Sequence, residues 1–130
     1  MKLKYPDSEV HKKTLVIGAS ENPGRYSNKA IRALLSHDHE VVALGLRQGA
    51  VEGLAFHTEK EPFTEIDTVT LYIGPQNQPA YYSYIIGLSP RRVIFNPGTE
   101  NPEFIAMLQA KGIIPEIACT LVLLGTGQYD

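Results

Sequence analysis

Cysteine is nearly absent from this chain: Cys119 stands alone among 130 residues. That excludes an internal disulfide framework and any zinc centre built from several cysteines. An excess of positive charge is also missing. Lys and Arg number 12 against 14 Asp and Glu, a formal net charge of -2, so the electrostatic footprint of a nucleic-acid binder is not there. No apolar run approaches the about 20 residues that cross a bilayer. Met1-Lys2-Leu3-Lys4-Tyr5-Pro6-Asp7 carries no apolar core of the kind a secretory signal needs. No His-x-x-x-His or Glu-bearing metal pattern occurs among His11, His37, His39 and His57. The expectation is a chain of the cytoplasm with no membrane, nucleic-acid or metal partner.

What is present is enough apolar material for one domain around one core, at 43% of 130 residues. Residues 1–12 are polar and read as an N-terminal arm. From residue 13 strand and helix signals alternate to the end, so 13–130 reads as the domain. Strands are expected at Lys13–Gly18, Glu40–Leu44, Thr68–Ile73, Arg92–Phe95 and Ile113–Ile117, each rich in β-branched or apolar residues. The first helix is expected over Ser27–Ser36 with Ser27 as N-cap, and the second over Asn77–Leu88. The third is framed by Asn101 as cap, Pro102 at the first position and Gly112 past the end. A short apolar helix around Thr120–Leu124 closes the chain. Gly45–His57 holds three glycines and reads as loop with one short strand. Strands separated by helices imply right-handed βαβ units. The fold class is therefore α/β: a Rossmann-like three-layer fold, a parallel sheet of about five strands with helices on both faces.

In such sheets the ligand lies off the carboxyl ends of the strands, where the strand order reverses. The loops at that edge begin near Gly18, Gly45, Gly74 and Asn96. The first, Gly18-Ala19-Ser20-Glu21-Asn22-Pro23-Gly24-Arg25-Tyr26, joins an apolar strand to a helix N-terminus. Glycine permits close backbone approach to a phosphate, and unpaired helix N–H groups favour an anion. The ligand class is a nucleotide. The loop is not Gly-x-Gly-x-x-Gly, and the second strand ends in Leu44-Gly45-Leu46-Arg47, without the acid that takes the ribose hydroxyls of NAD. Arg47 suits a phosphate on the adenosine ribose, as in NADP or coenzyme A; a solvated loop cation is the plain reading. Arg25 stands where it can clamp a pyrophosphate.

These pieces resemble a known family. Val16-Ile17-Gly18-Ala19-Ser20, Pro23-Gly24-Arg25-Tyr26-Ser27, His39-Glu40-Val41-Val42-Ala43 with Gly53 downstream, Ile66-Asp67-Thr68-Val69, Phe95-Asn96-Pro97-Gly98, Gly112-Ile113 and Cys119 look like a small stand-alone CoA-binding domain protein. Its fold is shared with the CoA-binding domain of the succinyl-CoA synthetase α subunit. The likeness runs over about residues 13–125. It implies that Gly18, Ala19 and Ser20 cradle the CoA phosphates, with Asn22, Gly24, Arg25, Tyr26 and Ser27 around them. It implies Arg47 near the adenosine 3′-phosphate, and Ile73, Gly74 and Pro75 against adenine or the pantetheine arm. Asn96, Pro97 and Gly98 would line the pocket mouth. Relatives often carry Asn-Pro where this chain has Gly45-Leu46. The phosphohistidine domain of the synthetase is absent, so its reaction is not implied.

No catalytic residue is assigned. Ser20 lacks the second glycine of a nucleophile elbow and reads as a phosphate ligand. His37 and His39 read as polar turn residues and His57 as a loop residue. Cys119, beside Ile117, Ala118 and Leu121, reads as a small buried hydrophobe; its place after a strand's carboxyl end raises a mixed disulfide with the CoA thiol as an alternative. Tyr72, Tyr81, Tyr82 and Tyr84 pack on or cap the sheet. The expectation is non-catalytic binding of coenzyme A or an acyl-CoA at the carboxyl edge. The alternatives are the nucleotide-binding domain of an NADP-dependent oxidoreductase, or a nucleotide-sensing regulatory subunit that meets a protein partner or its own copy through Leu121–Leu124.

Overall fold

In a computed structural model, residues 13–130 are described, and the expected arm at 1–12 lies outside them. The elements in chain order are β1 (Lys13–Ile17), α1 (Tyr26–Ser36), β2 (Glu40–Leu44), β3 (Ala50–Val51), β4 (Leu54–Ala55), β5 (Ile66–Leu71), α2 (Tyr82–Leu88), β6 (Arg92–Phe95), α3 (Pro102–Ala110), β7 (Ile114–Ile117) and α4 (Thr120–Gly125). Five strands form one sheet in the order β2-β1-β5-β6-β7, and every pairing in it is parallel.

The sequence of β1 dictates its central place. Leu15, Val16 and Ile17 are all buried, which a strand achieves only when both faces of its sheet are covered. Alternation sends Leu15 and Ile17 to one face with Val69, Leu71, Val93 and Phe95, against Ile85 of α2 and Phe104 and Leu108 of α3. Val16 and Ile94 go to the other face, against Ile31 and Leu34 of α1 and Leu123 and Leu124 of α4. The result is the expected three-layer α/β arrangement, helices on both sides of a parallel sheet.

Three local departures from the expected elements have physical causes. Helix α1 starts one residue early, with Arg25 extended at the N-cap position (φ -83°, ψ 143°) and Ser27 buried in the first turn. The Asn22 side chain closes the loop by accepting from Gly24 N–H (2.9 Å), and Asn22 C=O accepts from Arg25 N–H (3.0 Å); the helix follows at once. The expected helix over 77–88 breaks into 3-10 turns at Pro75–Asn77 and Pro79–Tyr81 before α2. Pro79 has no N–H to continue a helix. The Gln78 side chain is instead buried, its amide donating to Ile73 C=O (3.0 Å) and Thr99 C=O (2.8 Å). Gly45–His57 holds a hairpin rather than one short strand. Glu52 (φ 52°) and Gly53 (φ 83°) make its two-residue turn, the left-handed pair that short hairpins favour. Beyond it His57 makes an isolated parallel bridge with Leu44, so a trace of a sixth strand flanks β2.

The order reverses between β1 and β5. α1 carries the chain from β1 outward to β2, whereas β5, β6 and β7 step away on the other side. The carboxyl ends of β1 and β5 therefore border the crevice where ligands of open α/β sheets lie.

Candidate functional site

A cleft of about 500 Å³ opens at that reversal point. Eleven of the fifteen residues expected at the site line it: Gly18, Ser20, Gly24, Arg25, Tyr26, Ser27, Ile73, Gly74, Asn96, Pro97 and Gly98. Ala19, Asn22, Arg47 and Pro75 are not among its lining residues, which also include Tyr72, Thr99, Cys119 and Leu121. Cys119 is the N-cap residue of α4, at the place after a strand's carboxyl end that raised it as a neighbour of the CoA thiol, and Leu121 lies in the first turn of α4.

Gly18 is required by the sheet itself. Its φ is +98°, and a Cβ there would stand 2.8 Å from Tyr72 C=O and 3.1 Å from Ile73 Cγ2. The loop leaving β1 thus runs against the loop leaving β5 with no room for a side chain. Gly18 and Ala19 N–H both donate to Leu44 C=O (3.0 and 3.1 Å), so these two amides hold β2 and are engaged within the chain. The N–H groups open to an anion lie further on. The first N–H groups of a helix have no intrahelical partner, and no side chain caps those of α1. Tyr26 and Ser27 of that first turn line the cleft together with Ser20, whose hydroxyl accepts from Asn22 N–H (3.1 Å) and keeps its own hydrogen to donate. The buried Asn28 amide donates to Ser20 C=O (2.9 Å) and so fixes the loop against the first turn of α1.

One cation, Arg25, lines the cleft. Among the described residues no carboxylate pairs with Arg25, Lys29 or Arg47. Lys29 lies 5.2 Å from the centre of the Tyr26 ring, and that ring, 65% exposed, lines the cleft. Arg47 is exposed in the loop after β2.

The opposite wall is a hydrogen-bonded frame. Asn96 is buried, and its amide donates to Thr70 Oγ1 (2.7 Å) and Leu71 C=O (2.8 Å) while its oxygen accepts from Thr120 N–H (2.9 Å). Asn96 borders the cleft, but its polar atoms tie β5, β6 and the start of α4 together. Thr70 and Thr120 hydroxyls meet at 2.8 Å. Burial pushes the phenol of Tyr72, which also lines the cleft, up to about 12. Leu123 and Leu124 are packed into the core against α1 rather than presented to a partner; of 121–124 only Val122 is exposed. Among the described residues no group of three or more His, Cys, Asp or Glu could hold a metal ion, and no helix is long and apolar enough to cross a membrane.

Residues 12–125 match the model of the CoA binding domain. One crystal structure, described as that of an uncharacterized protein, is 48% identical and superposes with a TM-score of 0.89, covering 91% of this chain and 98% of its own. Prb, a protein redesigned for binding, is 22% identical with a TM-score of 0.81 over 92% of this chain and 84% of its own. A hypothetical protein from Pyrococcus horikoshii is 23% identical with a TM-score of 0.77 over 94% and 95%. At that identity the last two speak to the Rossmann-like fold alone. No curated protein matches the chain. With nearly its whole length covered, this chain belongs to the CoA-binding domain family.

Proposed function

We propose that this chain binds coenzyme A or an acyl-CoA in the cleft at the carboxyl edge of the sheet and performs no reaction on it. The observation that carries the reading is the pairing of an uncapped α1 N-terminus with the unpaired Arg25 beside it. A pyrophosphate satisfies both: helix N–H groups and their dipole favour an anion, and a guanidinium binds phosphate oxygens in pairs. The phosphate cradle in this reading is Ser20 with the first turn of α1, while Gly18 and Ala19 shape the loop. Arg47 takes the phosphate on the adenosine ribose. Ile73 and Gly74 on one side and Pro97, Gly98 and Leu121 on the other supply walls for adenine and the pantetheine arm.

Calorimetric titration with CoA, NADP and NAD tests this. CoA should bind and the two dinucleotides should bind far more weakly. CoA should also slow alkylation of Cys119, which lines the cleft. Tighter binding of NADP than of CoA, or a Cys119 alkylation rate indifferent to saturating CoA, overturns the reading.

A further inference from the structure

The β3–β4 hairpin is too small to hold its own position. Each strand has two residues, and an isolated two-stranded hairpin is marginal in water. Two tethers bind it to the loop that leaves β1. In the first, the Glu21 carboxylate accepts from Ala50 N–H (2.8 Å). The approach is so close that a Cβ on Gly49 would fall 2.7 Å from the Glu21 carboxyl carbon. In the second, Glu52 at the hairpin turn meets Arg32 Nη1 (2.5 Å), Arg32 Nε donates to Asn28 Oδ1 (2.8 Å), and Asn28 Nδ2 donates to Ser20 C=O (2.9 Å). Gly45 completes the contact from below; a Cβ there would stand 3.0 Å from Ala19 C=O. Arg47 sits between these fixed points, in the loop whose far end, Gly49, accepts from Phe56 N–H (2.8 Å).

Resting on the CoA reading, we propose that the hairpin is a specificity arm of the cleft. Glu21 and the Glu52–Arg32–Asn28 chain are positioning groups that hold Arg47 at a set distance from the phosphate loop. A ligand with a second phosphate on its adenosine ribose then reaches both cationic sites at once. A ligand without it reaches only the first. Glu21, an acid in a loop that attracts anions, is spent on the hairpin amide and draws Arg47 into place through it.

Calorimetry with CoA and with 3′-dephospho-CoA reads this directly. The wild-type chain should prefer CoA by about tenfold or more, the scale of one charge-assisted hydrogen-bonded contact. Glu21→Ala should remove most of that preference by weakening CoA alone. Glu21→Gln, which still offers Ala50 an acceptor, should restore it. Glu52→Gln should act in the same direction more weakly, since Glu52 is half exposed. Equal affinity of the wild type for the two ligands overturns the proposal, and so does a Glu21→Ala variant that weakens both alike. Failure of the wild type to bind either ligand sinks the CoA reading itself, a different result from loss of discrimination.

Discussion

The two ends of the same sheet treat charge in opposite ways. At the amino-terminal end Lys13, Arg91 and Arg92 have each found a partner. Lys13 meets Glu40 (3.8 Å) and donates to Thr64 C=O (2.8 Å). Arg91 grips Asp67 with two bonds (2.9 and 3.1 Å), which lifts its pKa further. Arg92 is buried between Thr68 Oγ1 (2.9 Å), Glu116 (2.8 Å) and Tyr129 C=O, with its guanidinium 4.5 Å from the Tyr129 ring centre. At the carboxyl-terminal end Arg25, Lys29 and Arg47 have no carboxylate among the described residues, and a helix N-terminus stands uncapped beside them. A saturated network locks strands and the chain end in place. An unsaturated one leaves donors open at the cleft, and in the proposed function a ligand completes it. The near-neutral total of -2 conceals this split, because it depends on where the charges lie.

The split predicts that damage at one end leaves the other end's property intact. Arg92→Ala should have the largest effect. It strips donors from Thr68, Glu116 and Tyr129 at once, and breaking such a group costs about 3 kcal/mol, the low end of the buried-pair range because water still reaches Glu116. Urea unfolding midpoints should show this loss while CoA affinity of the folded protein is unchanged. A matching fall in affinity would join the two ends and break the comparison. Arg25→Ala should do the converse. CoA affinity should drop about tenfold, and stability should shift by no more than about 0.5 kcal/mol, as for an exposed side chain without partners. A large fall in stability would place Arg25 with the structural cations.

How far these ends were legible follows from what each rests on. The sheet was readable because β1 and β6 bury apolar residues on both faces, Leu15-Val16-Ile17 and Val93-Ile94-Phe95, as a doubly covered parallel strand does. The Asn101 cap was readable because accepting from Phe104 N–H (3.2 Å), three residues on, is a local pattern, whereas the donation of its amide to Gln78 Oε1 (3.0 Å) and Tyr82 Oη (2.8 Å) was not. The crevice was readable as a set of loops, yet the task of each group within it was not. Gly18 looked like a phosphate-contacting glycine and is first a packing requirement against Tyr72. Asn96 looked like a pocket residue and is a three-way strut. Helix α1 lost its expected Ser27 cap because Asn22 turned the loop earlier. Glu21 and Asn28 were silent, since their work depends on a hairpin that three glycines disguised as loop. Pairing across 20 or more residues, as between Arg32 and Glu52 or Thr68 and Arg92, leaves no local pattern to read.

The smallest effect compares two phenols, one at each end. Burial raises Tyr72 from 10.0 to about 12 and also raises Tyr129. In both, the folded chain holds the proton more tightly than the unfolded chain. The stability each supplies is therefore complete below pH 10 and declines as pH rises toward the folded value, over about pH 10–12 for Tyr72. The decline is at most about 1.4 kcal/mol per pH unit for each phenol. Tyr72→Phe cannot ionise in either state, so its unfolding midpoint should fall less steeply in alkali than the wild type's. CoA adds a second distinction. Its phosphates and its covering of the cleft disfavour a tyrosinate at Tyr72, whereas Tyr129 lies under Arg92 and Thr14 at the far end. Followed by tyrosinate absorbance in a Tyr26→Phe chain, which lacks the exposed phenol of the cleft, saturating CoA should push one titration upward and leave the other in place, and the shift should vanish when Tyr72→Phe is added. A CoA-dependent shift that survives that substitution would mean that ligand reaches the saturated end, and the division of labour between the two edges would not hold.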